Sequence, residues 1–291
     1  IRVLDEGRTG LASTERLSSE SIELAFKNAC ENAKLQDQTD VIMLDAPEEI
    51  PESSLLDLYN PELDQLNSDQ LMEFVFSIED SVKAADKRVV SIPYLGVSRG
   101  RNESFLLSSR GVSYNHRSNE VAAWCGPLLQ DGDSRKSGMK ILNRREWDPK
   151  AGKRIGEEAV EKASELLNAL PIQSEKMTVV LDEHTAPGFL AMYFSAFSAE
   201  AAQRGLSRLK GKLDQKIANE DLTLLDDPHR LGGKRSCFMD SEGFLTKQLL
   251  LIENGIFRNF LYHVESARKE NKNSTGHASR GYVGGISTRS H

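Results

Sequence analysis

Six histidines and three cysteines are the side chains of this 291-residue sequence that could bind a transition metal. Many zinc peptidases place two histidines and a glutamate on one helix as H-E-x-x-H, and no such motif occurs here. His184 follows a glutamate, but Leu181 excludes the reversed pattern H-x-x-E-H. His229, His263 and His277 lie singly in a predicted turn, strand and loop, which is more typical of hydrogen-bonded side chains. The spacing leaves open a site assembled from distant histidines without favouring one.

A second candidate for chemistry is residues 96–100 (GVSRG), which match the G-x-S-x-G pattern of a serine-hydrolase nucleophile elbow. That elbow needs a strand before the serine and a helix after it. Here the following residues predict another strand, and no histidine is placed as a partner by its spacing. We therefore do not interpret Ser98 as a nucleophile.

The most specific stretch of the sequence runs from residue 237 to residue 281. Two apolar runs are joined by Asn254-Gly255, a pair that tolerates the positive φ angles of a tight hairpin turn. Residues 240–243 (DSEG) predict a second turn before the hairpin. Residues 264–270 predict a short helix after it, followed by a small-residue loop at 274–278. The order is therefore turn, hairpin, short helix and loop.

This order of motifs resembles the TldD/PmbA family, which contains zinc metallopeptidase subunits and catalytically silent relatives. The resemblance rests on motifs spread through the whole chain. They are RTGLAST at 8–14, LYNPEL at 58–63, LSRLKGKL at 206–213, DSEG at 240–243, ENG at 253–255, SARK at 266–269 and STGHA at 274–278. By this resemblance, family members extend beyond the chain at both ends.

The resemblance implies where catalytic residues would lie. The family's catalytic subunits carry H-E-x-x-x-H on a helix, and here that motif falls on Met192, Tyr193 and Phe197. A thioether and a phenyl ring cannot replace a pair of imidazoles as zinc ligands. We therefore predict a PmbA (TldE)-like chain that is not catalytic alone, with no cofactor of its own and zinc in a catalytic partner. Phe197 is predicted to share a buried helix face with Leu190 and Phe194.

The expected partners are a TldD-type catalytic subunit or a second copy of the chain, and a peptide substrate bound in extended form. The residues predicted as candidate contacts with peptide or partner are Asp240, Glu242, Gly243, Ser274, Thr275, Gly276 and His277. Two alternatives stay open. One is a zinc metallopeptidase in its own right, and the other is a homodimeric peptide-binding scaffold.

The elements that position these residues predict an α+β fold. A helix-flanked antiparallel sheet comes first, followed by a mostly antiparallel β domain with one central helix that starts near Pro187 and runs to about Gln203. We place the domains at residues 1–173 and 174–291, the first expected to lack its true start and the second to be truncated. A helix after Ser18 is expected to bury a stripe of side chains. They are Ile22, Phe26, Ala29, Cys30 and Ala33.

Composition limits the classes of function. The net charge is −7, with the acidic excess concentrated in residues 1–86, and no dense cluster of basic residues favours nucleic acid as a partner. No apolar run approaches the ~20 residues that cross a bilayer, so no membrane association is expected. Cys30, Cys125 and Cys237 are odd in number and widely spaced, which favours a reducing, cytoplasmic location.

Overall fold

The computed structural model of the protein describes residues 1–39, 41–183, 185–281 and 285–291. They form two compact units, described here one at a time. The central unit comprises Asp57–Ser104 and Arg117–Val179, and the terminal unit comprises Ile1–Leu56, Phe105–His116 and Val180–His291. These units group residues 1–56 with the carboxyl-terminal part of the chain. The division into domains at residue 173 stays a prediction.

Helices and antiparallel strands are mixed along the chain, which confirms the α+β class. The helices are α1 (Ser19–Lys34), α2 (Pro61–Asp64), α3 (Ser68–Ala85), α4 (Ala151–Leu166), α5 (Thr185–Tyr193), α6 (Ala199–Gln203) and α7 (Val264–Arg268), with 3₁₀ turns at Ser53–Leu56 and Phe194–Phe197. The strands are β1 (Arg2–Asp5), β2 (Arg8–Leu11), β3 (Val89–Leu107), β4 (Ser113–Asp131), β5 (Ser134–Ser137), β6 (Lys140–Arg144), β7 (Leu224–Asp226), β8 (Leu249–Glu253), β9 (Ile256–Phe257), β10 (Ala278–Arg280) and β11 (Ile286–Thr288). None of the described helices combines the length and the apolar character that crossing a membrane requires.

The sheet of the central unit is organised around β4. Its strand order is β3-β4-β5, and β6 also pairs with β4. The pairs with β5 and β6 are antiparallel, with Leu128 opposite Ser137 and Trp124 opposite Ile141. The GVSRG sequence lies inside β3, so the serine of this motif lies within a strand rather than on an elbow.

Helices α3 and α4 pack together on this sheet. Helix α3 begins with a capping box between Asn67 and Gln70, which satisfies backbone groups at its first turn. Ile78 of α3 and Ile155 of α4 are among the buried residues of the core that they share with the sheet. A Cβ on Gly152 or Gly156 would overlap the hydroxyl of Ser77 or Ser81, so the two helices approach closely because α4 presents glycine there.

The described residues of the terminal unit form three small antiparallel sheets, β1-β2, β7-β8-β9 and β10-β11. The turn between β8 and β9 is the predicted one, with Asn254 at φ 47° and Gly255 at φ 77°. Helix α1 also forms as predicted, with the Ser18 side chain accepting a hydrogen bond from the Ser21 N–H. Its buried stripe differs from the prediction, because Ile22 and Phe26 are 43% and 52% exposed.

The buried face of α1 consists of alanines, namely Ala25, Ala29 and Ala33. The backbone of Ala29 lies so close to Gly10 of β2 that a Cβ on this glycine would overlap it. Large side chains therefore cannot occupy this face. Contact with the hairpin β1-β2 requires small residues on this face of α1, and the helical period of the sequence does not predict that requirement.

Two further predictions about local structure are wrong. The short apolar run at residues 177–181 (MTVVL) predicts a strand, but these residues form no regular element. The helix after Pro187 does not run unbroken to Gln203, since α5 ends at Tyr193 and a 3₁₀ turn separates it from α6. Ser198 caps α6 by accepting the Ala201 N–H, which fixes the break at this position.

Candidate functional site

The positions that the resemblance assigned to zinc ligands lie at the end of α5 and in the 3₁₀ turn that follows it. Met192 and Tyr193 are 74% and 55% exposed, whereas Phe197 is only 7% exposed. Leu190 is also exposed, at 44%, because the helix breaks before Phe197 and the predicted common face is lost. A thioether, a phenol and a buried phenyl ring do not make a zinc site of the H-E-x-x-x-H kind.

Phe197 belongs to an aromatic cluster in the terminal unit. Its ring centroid lies 5.8 Å from that of Phe194 and 5.9 Å from that of Phe257, and Phe257 packs edge-on against Phe260 at 4.7 Å. The Phe197 carbonyl accepts the Leu261 N–H at 2.8 Å. Both the ring and the backbone of this residue therefore stabilise the interior of the unit.

Asp240 organises the predicted turn at 240–243. Its Oδ1 accepts the N–H groups of Glu242 and Phe244 at 2.9 and 3.0 Å, and its Oδ2 accepts the Ala278 N–H at 3.0 Å. Gly243, at φ 84°, completes the turn. Burial raises the pKa of Asp240 to about 6, against the opposite effect of these backbone hydrogen bonds. The carboxyl group thus ties the turn to β10.

Glu242 connects the same turn to the start of α7. Its carboxylate accepts the Val264 N–H at 2.8 Å and pairs with Arg280 at 2.9 Å and with Arg2 at 3.7 Å. The side chain of Glu242 is 3% exposed. An acidic group beside the first backbone N–H groups of a helix is favourable, because those groups have no partner within the helix.

The loop at 274–277 is buried against the segment that precedes α7. The Tyr262 N–H donates to the Thr275 hydroxyl at 2.8 Å, and the hydroxyls of Ser274 and Thr275 both donate to the Tyr262 carbonyl at 3.2 Å. Gly276 has φ 79°, and a Cβ there would lie 2.8 Å from the Leu245 carbonyl oxygen. Only glycine fits this approach.

His277, fully buried, joins the loop to β7. Its Nε2 lies 3.2 Å from Asp226 Oδ1, and its Nδ1 lies 2.9 Å from Thr275 Oγ1. The rings of His277 and His291 are 4.7 Å apart, and the His291 N–H donates to the Asp226 carboxylate at 3.1 Å. One ligand atom from each of Asp226, His277 and His291 lies within 4.8 Å of the others.

Cys237 lies next to this group, with its Sγ 3.4 Å from His291 Nδ1. Burial raises the pKa of the Cys237 thiol, although the Arg289 guanidinium acts in the opposite direction. Burial, and then the neighbouring His277, lower the pKa of His291 to about 4. His291 is therefore a neutral imidazole near pH 7.

The seven candidate contact residues are thus brought together, but they face inward. All of them except Glu242 are buried as whole residues, and the Glu242 carboxylate is buried too. Their hydrogen bonds go to the protein's own backbone and to charged neighbours, so the structure gives them a positioning role. Direct contact with peptide or partner stays a prediction.

No local pattern in the sequence marks Asp226 and His291 as partners of His277. They are separated from each other by 65 residues, and no spacing rule connects them. His229, by contrast, is bonded to Thr246 and lies outside the group. His184 lies outside the described residues.

Two family models match this sequence. One, described as PmbA/TldA metallopeptidase central domain, matches residues 61–167, and the other, described as PmbA/TldA metallopeptidase C-terminal domain, matches residues 174–291. Metalloprotease PmbA of Escherichia coli O157:H7 is 24% identical over 287 residues, which cover 96% of this chain and 62% of that protein.

Solved structures share the fold. A Thermotoga maritima protein described as a modulator of a DNA gyrase matches with a TM-score of 0.86 and 26% identity, covering 99% of this chain and 64% of that one. TldE from Thermococcus kodakarensis matches with a TM-score of 0.82 and 26% identity, covering 100% of this chain and 65% of that one. The chain spans less than two thirds of the length of these three proteins.

The fold is therefore the α+β fold of the TldD and TldE proteins, and it carries metallopeptidase-type domains. The chain belongs to the TldD/PmbA family. The resemblance drawn from the sequence motifs is confirmed.

Proposed function

We propose that this chain is the PmbA (TldE)-like, non-catalytic component of a cytoplasmic metallopeptidase. In this proposal it binds peptides in extended form and assembles with a TldD-type subunit that holds the zinc. The proposal rests on the family membership and on the side chains at the positions of the family's zinc motif.

The single observation that carries the proposal is the environment of Phe197. The family motif would need an imidazole at this position to meet a metal ion, and here a phenyl ring is buried among other phenyl rings. Such a ring contributes packing and hydrophobic free energy and cannot coordinate an ion. Met192 and Tyr193 offer no alternative pair of ligands.

Binding of an extended peptide is supported by strand β3. In the described part of the sheet β3 is an edge strand, since β4 is its neighbour on one side and no described strand pairs with the other. Pro93, which lacks an N–H group, lies in β3, and proline within sheets is typical of edge strands. An added peptide strand would use backbone hydrogen bonds there and would tolerate varied side chains.

Association with another subunit is supported by α5. This helix has no buried residue, and Phe189, Leu190 and Met192 are between 44% and 74% exposed. A contiguous apolar surface of this kind is typical of an interaction site. A stable interface would bury at least ~1,000 Å² in total.

The proposal is tested with purified protein, a TldD-type subunit from the same cell, and their mixture. Each sample is assayed for cleavage of an unstructured fluorogenic peptide and for mass by sedimentation. We expect no cleavage by the chain alone, together with a mixed complex that cleaves and is inactivated by a chelator. If the chain sediments as a monomer both alone and in the mixture, the proposed assembly is contradicted.

The same experiment separates the alternatives. Chelator-sensitive cleavage by the chain alone would support a metallopeptidase in its own right. A homodimer that binds peptide, without any effect of the TldD-type subunit, would support a peptide-binding scaffold.

A further inference from the structure

Three side chains that can bind a metal, those of Asp226, His277 and His291, meet in the terminal unit, and Cys237 contacts the third of them. We propose that Asp226, His277 and His291 bind a divalent transition-metal ion, with zinc the best match, and that Cys237 is the fourth ligand. Imidazole nitrogen, carboxylate oxygen and thiolate sulfur are the ligands that tetrahedral zinc takes in proteins.

The separations between the donor atoms suit a tetrahedral ion. Ligand atoms about 2.0–2.3 Å from zinc lie about 3.3–3.6 Å from one another at tetrahedral angles. Asp226 Oδ1 and His277 Nε2 are 3.2 Å apart, and Cys237 Sγ and His291 Nδ1 are 3.4 Å apart. One ligand atom from each of Asp226, His277 and His291 lies within 4.8 Å of the others, and side-chain rotation can shorten these separations.

The hydrogen bond of His291 leaves the correct nitrogen for a metal. Its Nε2 is 2.7 Å from the Gly276 carbonyl oxygen, which can only accept a hydrogen bond. Nε2 therefore carries the hydrogen, and in the neutral ring Nδ1 has a free lone pair that faces Cys237. Histidine ligands usually donate their second ring N–H to a carbonyl or carboxylate in this way.

The environment of His277 likewise leaves one of its ring nitrogens free to bind a metal. The Thr275 hydroxyl donates to the Tyr262 carbonyl at 3.2 Å, so it accepts from the Nδ1–H of His277. In the tautomer with its hydrogen on Nδ1, the Nε2 lone pair is directed at Asp226 Oδ1, which is also an acceptor. A cation between two such acceptors removes their repulsion, and a metal ion would do so for both histidines at once.

The role of the ion would be structural. His277 is fully buried and Asp226 is 4% exposed, whereas a catalytic zinc keeps a position open for water or substrate. The proposed ligands come from β7, from the segment between β7 and β8 that holds Cys237, from the loop before β10 and from the residues after β11. A bound ion would therefore hold these segments together. The Asp226 carboxylate and a Cys237 thiolate would offset its two positive charges.

The test compares metal binding by the wild-type protein and by His291→Gln. Gln can still donate to the Gly276 carbonyl, so this variant removes the ligand and keeps the hydrogen bond. The metal-free proteins are titrated with Zn²⁺, followed by melting temperature and metal content, and with Co²⁺, followed by visible absorption. The matched control is His229→Gln, the same substitution at a half-buried histidine of the same unit.

We expect one zinc per chain, a melting temperature raised by zinc, and the absorption of tetrahedral Co²⁺ in the wild type and His229→Gln. His291→Gln should bind at least ~100-fold more weakly, because loss of a ligand exceeds the roughly 10–100-fold effect of its outer partners. Cys237→Ser should abolish the thiolate-to-cobalt charge-transfer band. Persistence of that band overturns the assignment of Cys237.

The proposed site is overturned if the wild type and His291→Gln bind zinc equally. It is also overturned if the wild type binds no zinc. These outcomes are independent of the proposed function, which is tested by peptide cleavage. Bound zinc without cleavage by the chain alone supports both proposals.

Discussion

The rings of Phe197 and Phe257 lie 5.9 Å apart at an interplanar angle of 56°, so a packed hydrocarbon ring stands at a position that the resemblance assigns to the family's zinc motif. The pair links the 3₁₀ turn after α5 to β9 and so joins two segments that are distant in sequence. Aromatic pairs of this geometry contribute ~0.5–1.5 kcal/mol beyond the area that they bury.

Phe197→Ala should lower the free energy of unfolding by ~3–5 kcal/mol, because it leaves a cavity between Phe194 and Phe257. Urea unfolding followed by circular dichroism measures the loss. The matched control is Met192→Ala, whose side chain is 74% exposed, with an expected change within ~0.5 kcal/mol. Equal losses in the two variants would contradict the packing role of Phe197.

Replacing Met192→His, Tyr193→Glu and Phe197→His together should not create a zinc peptidase. The imidazole introduced at position 197 would face the aromatic cluster rather than a metal ion, and further ligands and an ordered site would still be needed. Peptide cleavage in the presence of zinc is the measurement. Zinc-dependent cleavage by the triple variant would show that the site is otherwise complete.

Gly255→Val should destabilise the β8-β9 hairpin. The residue has φ 77°, and its Cβ would lie 2.5 Å from the Ala218 carbonyl oxygen. Positive φ alone costs ~1–3 kcal/mol for such a side chain. Gly205→Val is the control, since Gly205 has φ 75° and no atom within 4 Å of the added Cβ. Thermal unfolding should show a larger decrease in melting temperature for Gly255→Val than for Gly205→Val. An equal decrease would mean that the backbone around residue 218 shifts to accommodate the added side chain.

Gly152→Ala should destabilise the contact between α3 and α4 by ~1–3 kcal/mol through overpacking against the Ser77 hydroxyl. Ser77→Ala should rescue most of this loss, because the next contact of the added Cβ is at 3.2 Å. At Gly156 the corresponding rescue by Ser81→Ala should fail, since the Ile78 carbonyl oxygen would remain 2.8 Å away. Double-mutant cycles measure both couplings.

The free energy of unfolding should fall as pH rises, because Asp240 loses its proton. Its pKa in the folded protein, about 6, is above its ordinary value of 3.8, so the folded state binds the proton more tightly. The associated stability is fully present below pH ~4 and is lost as pH rises through ~6. It amounts to about 3 kcal/mol at 1.36 kcal/mol per pKa unit.

Asp240→Asn isolates this contribution, because asparagine does not titrate. Its amide group would face the Ala278 N–H, which adds a destabilisation independent of pH. The unfolding free energy of the wild type, relative to that of Asp240→Asn, should therefore fall by about 2 kcal/mol between pH 4 and pH 7. A carboxyl ¹³C titration midpoint near 4 would contradict the burial effect.

Features that depend on neighbouring residues were predictable from the sequence. Asn254-Gly255 defines its turn because few residue pairs tolerate two positive φ angles, and the structure has both. The amphipathic period of residues 71–85 likewise predicts a helix that opens at Asp69, and α3 begins one residue earlier, at Ser68. The motifs that identified the family are local as well.

Features that depend on distant residues required the tertiary structure. The close approach of β2 to α1 selects alanines and leaves Ile22 and Phe26 exposed, although the helical period alone predicts them buried. Asp226 lies 51 residues from His277 and 65 from His291, and only the folding of β7, the loop and the final residues brings their ligand atoms together. Local patterns determine turns and helices, whereas the geometry of a ligand set is decided by packing between segments that the sequence keeps apart.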